Sequence, residues 1–378
     1  MSTASDMHGG NVFDPDLLSR CMSCGFCLPS CPTYRLTGEE ASSPRGRITL
    51  MRAVQEGRLD VTDPTVLGQS QFCLGCRACE PVCPAGVQYG DLLEEWRDTV
   101  WQGRDRPVLA KLLMLMMSRL GMLGITLAGI VRRAAAAPRR EARVPGGGAQ
   151  LMLGCVERVL YPKVSRAARR ADPTLVAPHT QGCCGALHAH NGESAQGRRM
   201  ARRLGRQLPG TIVTTSGGCA AHLAAELGAD RVQEFSAWLA AGHGPDPADL
   251  TPVHVDAAGR IVPADRPGAR RVRLGLQDSC HLRNALGVWR EPRDVLGRIG
   301  DYVEVPDAGA CCGAAGSYSV LRPDDSRRVL APKLAAIAEL DLDFLVVVNP
   351  GCYRQMAAGL RGTRTRVIHL AELLTHAL

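Results

Sequence analysis

Residues 181–190 read QGCCGALHAH and residues 309–318 read GACCGAAGSY, so the chain sets Cys-Cys-Gly twice, 128 residues apart. Neighbouring cysteines seldom pair with each other, because a disulfide between them strains the intervening peptide. Side by side they suit one metal centre or a redox dithiol, and the flanking residues decide between these uses. Working outward, Cys155, Cys183, Cys184 and Cys219 form one series and Cys280, Cys311, Cys312 and Cys352 another, at offsets of 125, 128 and 133 residues. QLMLGC (150–155) matches LGLQDSC (274–280), TIVTTSGGC (211–219) matches FLVVVNPGC (344–352), and RVQEFSAWLA (231–240) matches RVIHLAELLT (366–375). This is an internal duplication, each copy being one structural unit.

Within each copy short apolar strands alternate with Ala- and Arg-rich helices. The strands are LMLG, then TLVAP or YVEVP, then IVTTS or LVVVN. Such alternation predicts an α/β unit with a mostly parallel sheet. Cysteines at the carboxyl ends of the strands then gather on one sheet edge, where α/β folds place ligands. Gly185, Gly218, Gly313 and Gly351 let the backbone come close to whatever sits there. Four convergent thiols per copy suffice for one [4Fe–4S] cluster or one zinc ion, or stand as a reactive dithiol. A cluster in at least one copy is the first expectation, structural zinc the second and empty thiols the third.

The remaining eight cysteines lie near the start, as CMSCGFCLPSCP (21–32) and CLGCRACEPVCP (73–84). Each is C-x2-C-x2-C-x3-C-P, the spacing of bacterial ferredoxins. Three cysteines at intervals of three grip three corners of one cube from a tight loop. The fourth, before a proline, heads for the other cluster. On that rule Cys21, Cys24, Cys27 and Cys83 hold one [4Fe–4S] cluster, and Cys73, Cys76, Cys79 and Cys31 the second. A pair of zinc ribbons would also use C-x2-C arms, but the full spacing, written twice, favours two clusters. Gly25 and Gly75 suit loops wrapped closely on a cluster. Between the motifs, SPRGRITLMRAVQEGRL (43–59) has helical spacing at Ile48, Met51, Ala53 and Val54. Arg45 and Arg47 before them would offset the negative charge of a four-thiolate cluster, or else form a solvated basic loop.

The chain of 378 residues has 16 cysteines, few aromatics (4%) and a net charge of +8. A chain this long needs no disulfide staples. Its start, MSTASDMHGG, has neither a basic nor an apolar stretch, so no secretory signal is expected and the cysteines belong in a reducing compartment. There is no G-x-G-x-x-G loop, no P-loop and no flavin motif. Basic charge without a nucleic-acid motif gives no reason to expect nucleic-acid binding. Clusters without substrate chemistry of their own describe an electron conduit.

Residues 97–143 carry ten Arg/Lys against three Asp/Glu, around the apolar run LLMLMMSRLGMLGITLAGIV (112–131). The run touches the length of a membrane span. Its narrow polar stripe (Lys111, Ser118, Arg119, Thr126) and its glycines favour a helix docked on a partner or in the membrane interface. A linker follows at 134–149. His188, His190 and His281 follow cysteines of the duplicated part and are candidate proton donors beside a cluster; taken singly, each reads first as a capping or surface histidine.

With helices between its cysteine motifs, the front part resembles the helical ferredoxin domain of succinate dehydrogenase iron–sulfur subunits. Over essentially the whole chain, CMSCGFCLPSCPTY (21–34), SPRGRI (43–48), QGCCGALHAHNGE (181–193), CHLRNA (280–285), CCGAAGSYS (311–319) and NPGC (349–352) resemble the glycolate oxidase iron–sulfur subunit. Similar architectures occur in the anaerobic glycerol-3-phosphate dehydrogenase iron–sulfur subunit, lactate-utilisation iron–sulfur proteins and heterodisulfide reductases. In the last, the full motif ends in C-x-x-C; here Cys219 and Cys352 are followed by AAH and YRQ, so His222 and Gln355 stand where a fifth cysteine would be.

The expected architecture is thus α+β and multidomain. A helical ferredoxin domain (1–105) and a basic apolar helix with linker (106–148) precede two tandem α/β cysteine-rich (CCG) modules (149–245 and 246–378). The resemblance implies an electron-transfer subunit of an oxidoreductase. FAD would sit on a partner subunit that oxidises glycolate, and electrons would run toward a membrane acceptor such as quinone. The protein would lie in the cytoplasm, peripheral on the inner face of the cell membrane. The alternatives are a disulfide- or quinone-reducing site at the CCG cysteines, or service to D-lactate or glycerol 3-phosphate.

Overall fold

The structure, a computed structural model, describes residues 12–101, 107–116, 148–178 and 181–378. The front domain is helical. Pro15–Ser19, Pro32–Thr37, Pro44–Gln55 and Pro64–Phe72 each begin with proline, whose missing N–H and fixed φ suit a first helical position. Asp14, Ser43 and Asp63 cap three of them through side-chain oxygens. The longer helix Tyr89–Trp101 buries Leu92, Leu93, Trp96 and Val100 against Phe13, Ile48, Met51 and Val66. Each such side chain, fully buried, contributes about 1.5–3 kcal/mol.

In the first module, β1 (Gln150–Met152), β2 (Ile212–Thr214) and β3 (Val232–Glu234) form a parallel sheet in the order β1-β2-β3. The expected strand TLVAP is reduced to a single parallel bridge, Val176 to Gln150. A small antiparallel sheet follows, with β4 (His254–Val255) between β5 (Ile261–Val262) and β6 (Arg270–Arg271). The second module holds β7 (Arg273–Gln277), β8 (Asp301–Tyr302), β9 (Phe344–Val347) and β10 (Arg366–His369), all parallel in the order β10-β9-β7-β8. With Val176 in the place of β8, the two orders coincide, as a duplication requires.

The modules exchange helices. Pro162–Ala171 of the first packs on Leu370–Leu374 at the end of the second, and Phe235–Ala240 at the end of the first packs on Glu291–Ile299 of the second. Leu151, Ala168 and Phe235 therefore share one apolar core with Leu274, Leu296 and Leu370. The carboxyl edges of the two sheets abut. The Gly217 N–H donates to the Val348 carbonyl at 3.2 Å, and Asn349 Oδ1 accepts from Ser216 Oγ (3.1 Å) and the Gly218 N–H (3.2 Å). A Cβ on Gly217 would lie 2.4 Å from Ser279 Oγ, so only glycine allows this approach.

Among the described residues no helix is long and apolar enough to cross a membrane. The docking helix expected at 112–131 falls mostly outside the described residues. Its described beginning belongs to helix Val108–Met116, which exposes Val108, Leu109, Leu112 and Leu115.

Candidate iron–sulfur sites

The two front motifs fold into loops of one shape. In the first, Ser23 (φ 57°) and Gly25 (φ 89°) are left-handed; in the second, Gly75 (φ 61°) and Arg77 (φ 59°) occupy the same two positions. A non-glycine residue there costs roughly 1–2 kcal/mol, so each loop accepts strain at one position to turn its cysteines inward. A Cβ on Gly25 would lie 2.7 Å from the Arg45 guanidinium, which would have to shift.

The first hollow, about 420 Å³, is lined by Cys21, Cys24, Cys27 and Cys83. The second, about 310 Å³, is lined by Cys31, Cys73 and Cys76. Cys79 and Tyr89 line both. The first hollow thus gathers three cysteines of its own motif and two of the other, and the second hollow three of its own motif and one of the other. The Tyr89 hydroxyl is buried and has no hydrogen-bond partner among the described residues, and the Gly75 N–H points at Cys73 Sγ at 3.4 Å. A sulfur-rich anionic group fits this donor set: thiolates as ligands, with a hydroxyl and an amide left to face its sulfides.

The arginines before the helix Pro44–Gln55 reach these walls. Arg47 is fully buried, with Nη1 4.0 Å from Cys31 Sγ and Nη2 donating to Gln69 Oε1 at 3.1 Å. Burial opposes its charge, but Cys73, Tyr89 and Cys31 outweigh that and raise its pKa. Arg45 sits at the rim of the first hollow, paired with Glu40 and donating to the Ser23 carbonyl at 3.0 Å. The two hollows differ in access. Met22 (68%) and Phe26 (67%) are exposed beside the first, as is Cys24, whereas Cys31, Cys73 and Cys76 of the second are buried.

Each duplicated module also brings its cysteines together. In the first, Cys183 Sγ is 3.4 Å from Cys155 Sγ, and Cys184 Sγ is 3.3 Å from Cys219 Sγ. In the second, Cys312 Sγ is 3.3 Å from Cys352 Sγ. Cys311 and Cys280 interact as well, which holds the Cys280 thiol far below its ordinary range. Cys155 and Cys280 begin helices directly after the first strands, and Cys219 and Cys352 lie in the first turn of helices after β2 and β9. Gly185 (φ 94°) and Gly313 (φ 82°) make the left-handed turn after each cysteine pair, against the carbonyls of Gly197 and Ser326. Beside the second set, the buried Lys333 donates to the carbonyls of Asp307 (2.7 Å) and Ala308 (3.3 Å).

Of the two residues at the place of a fifth cysteine, Gln355 does not join the thiols. Gln355 Nε2 donates to Ser326 Oγ at 2.9 Å, and Ser326 Oγ donates to the Gly313 carbonyl at 2.9 Å, bracing the loop instead. His222 is buried, with Nε2 unpartnered among the described residues, in electrostatic reach of His190 and Glu94. His188 pairs with Glu193 at 2.5 Å. His190 lies between Glu94 of the front domain, 3.1 Å from its Nδ1, and His281 of the second module, ring centres 5.1 Å apart. Burial works against ionisation of Glu94, but the His190 hydrogen bond and the nearby His190, His222 and Arg77 charges bring its pKa down to about 2.

The fold and its cysteine sites define a class: two-cluster ferredoxin-like domains joined to duplicated cysteine-rich modules. Residues 17–87 match the 4Fe-4S dicluster domain, and residues 149–224 and 274–357 match the cysteine-rich domain. The chain is 31% identical to the "Probable glycolate oxidase iron-sulfur subunit" of Bacillus subtilis over 96% of this chain and 95% of that one. It is likewise 31% identical to the glycolate oxidase iron–sulfur subunit of Escherichia coli, over 96% and 94%. A subunit of the fumarate reductase (CoM/CoB) of Methanothermobacter marburgensis is 24% identical, over 96% of this chain and 73% of its own. The chain belongs to the glycolate oxidase iron–sulfur subunit family.

Proposed function

We propose that this chain carries electrons from a flavin partner subunit that oxidises glycolate, or a related 2-hydroxy acid, toward a membrane acceptor such as quinone. The observation that carries this reading is the pair of adjoining hollows, one lined by Cys21, Cys24, Cys27 and Cys83, the other by Cys31, Cys73 and Cys76, with Cys79 in the wall of both. Cys21, Cys24, Cys27 and Cys83 would hold one [4Fe–4S] cluster, and Cys31, Cys73, Cys76 and Cys79 the other; a third would be held by at least one cysteine-rich module. Such a cluster, when bound, accepts and releases one electron at a time. The chain's own residues do the rest. The thiolates fix the spacing, Cys79 and Tyr89 form the wall between the two sites, and the buried Arg47 compensates negative charge at the inner one. Leu74 and Val329 keep water from the passage between the second hollow and the second module. Met22 and Phe26 give the first hollow an apolar rim, which suits a flavin subunit docking over it.

Lactate utilization protein A of Geobacillus thermodenitrificans, 28% identical over 60% of this chain, keeps lactate in view as the partner's substrate. The test is to purify the complex anaerobically from its own cells, add glycolate or D-lactate, and record the electron paramagnetic resonance of the clusters. Reduced-cluster signals within a turnover of glycolate addition support the reading. Reduction by D-lactate alone reassigns the substrate, and no flavin protein in the complex contradicts the proposal.

A further inference from the structure

The two cysteine-rich modules meet the front domain in different ways. The first docks on the helix Tyr89–Trp101. Arg97 Nη1 donates to the His190 carbonyl at 2.9 Å, and the Ser194 N–H donates to Asp98 Oδ1 at 3.0 Å. Arg97 Nη2 also donates to the Cys73 carbonyl at 2.6 Å. Among the described residues the first module thus reaches the inner cysteine loop only through this intervening guanidinium, and no cysteine of the first module takes part in the contact. Among the described residues, the apolar cluster around Cys183, Cys184 and Cys219 contains none of the front domain.

The second module docks on a cysteine loop itself. Asn284 Nδ2 donates to the backbone carbonyl of Cys76 at 2.9 Å, across 208 residues of sequence. Asn284 lies one helical turn after Cys280 in Cys280–Leu286, so both face the same way. Around this bond Leu74, Cys76, Cys311, Tyr318 and Val329 form one apolar cluster, with Cys280 packed against it. Tyr318 is buried, its hydroxyl has no partner among the described residues, and both Cys73 and Cys311 lie in its electrostatic reach. Thiols of the inner hollow and of the second module thus share a dry contact.

We propose that electrons leave the ferredoxin-like domain through the second cysteine-rich module alone, across a joint that Asn284 keeps closed by holding the Cys76 loop against Cys280. The proposal rests on the reading of both sites as iron–sulfur centres. In the step, one electron passes from the reduced centre held by Cys31, Cys73, Cys76 and Cys79, which is oxidised by one, to that held by the second module, which is reduced by one; no bond changes. Asn284 is a positioning residue. Its amide is the donor that ties the two loops, and without it the Cys76 carbonyl is left unsatisfied and the joint opens more often.

The test uses the full chain, purified anaerobically, with iron and sulfide measured in every preparation. The ferredoxin centres are reduced by a light flash, and the rise of the second module's own signal is followed. Asn284→Leu, of similar size but with no donor, is expected to keep its iron and slow that rise about tenfold, the effect of one lost hydrogen bond. Asn284→Gln, which keeps the amide, is expected to restore most of the rate. Asp98→Ala, which removes the Ser194–Asp98 bond of the first module's docking, is expected to leave the rate unchanged. An unchanged rate in Asn284→Leu overturns the proposal, and so does a slowed rate in Asp98→Ala. If Asn284→Leu arrives short of iron, Asp98→Ala decides alone: unchanged supports the route, slowed contradicts it. An unmodified chain with only about 8 irons would sink the proposal by another cause, because the second module would then hold no iron–sulfur centre.

Discussion

The two cysteine-rich modules carry the same sequence pattern, the same strand order and four thiols each, yet they sit in unlike surroundings. In the first, Cys183 and Cys219 are partly exposed. In the second, Cys311, Cys312 and Cys352 are buried, Lys333 is buried beside them, and Cys280 packs against the cluster that holds Cys76. Duplication made two equal sites, and docking made them different. Which of two like centres works in a chain of carriers is decided by what lies against its thiols.

That comparison can be broken most directly by removing one thiol from each module. Cys311→Ser is expected to take the second module's centre, about 4 irons, and to stop electron delivery beyond the ferredoxin domain. Cys184→Ser is expected to leave the transfer out of the ferredoxin domain intact. Iron analysis with flash reduction reads both, and equal loss in the two variants would erase the distinction. Next in size is Lys333→Met. Removing a buried positive charge near Cys311, Cys312 and Cys352 should lower the midpoint potential of the second centre, on the order of 50 mV. Redox titration checks this, and a rise in potential contradicts it.

Smaller effects concern the joint between the modules. Asn349→Ala leaves Ser216 Oγ and the Gly218 N–H without their acceptor and should cost about 1–3 kcal/mol, seen as a lower midpoint in anaerobic urea unfolding. His369 Nε2 donates to the Thr215 carbonyl at 2.9 Å across the same joint, and its Nδ1 accepts from the Ala371 N–H at 3.1 Å. Burial brings its pKa down to about 4. The folded state therefore favours the neutral ring, and stability is lost as pH falls from about 6.5 through 4. The full window corresponds to about 3 kcal/mol. Burial pushes Glu157 and Glu234 up to about 7, and these titrate with the opposite sign, losing stability as pH rises from about 4.5. The quantity to measure is hence the difference between wild type and His369→Asn over pH 4–6.5, and a flat difference would contradict this account.

Much of the architecture was legible from cysteine spacing and the repeat, because ligand geometry and duplication both write fixed intervals. The parallel sheets followed from apolar runs such as FLVVV, and the helix Pro44–Gln55 from its apolar spacing. The small sheet at 254–271 was not legible. Its strands are two residues long and interrupted by Pro, Gly and Arg, so no alternation can accumulate. Nor was the contact of Asn284 with Cys76, whose partners lie in separate domains and share no local pattern. Tyr89 and Lys333 were missed for the same reason: an aromatic or a lysine on a helix gives no sign of the thiols it will meet. The arginines of SPRGRI and the histidine after Cys280 were such signals present in the sequence: Arg47 lies against Cys31, and His281 Nδ1 is 3.5 Å from Cys280 Sγ.

Iron, sulfide and zinc per chain on anaerobically purified, unmodified protein test the central claim most directly. Two cubane clusters account for about 8 irons and each further one adds about 4. This account predicts at least about 12 irons, matching sulfide and no zinc. About 8 irons with zinc present would contradict it, leaving the cysteine-rich modules as a scaffold and ending the conduit at the ferredoxin-like domain.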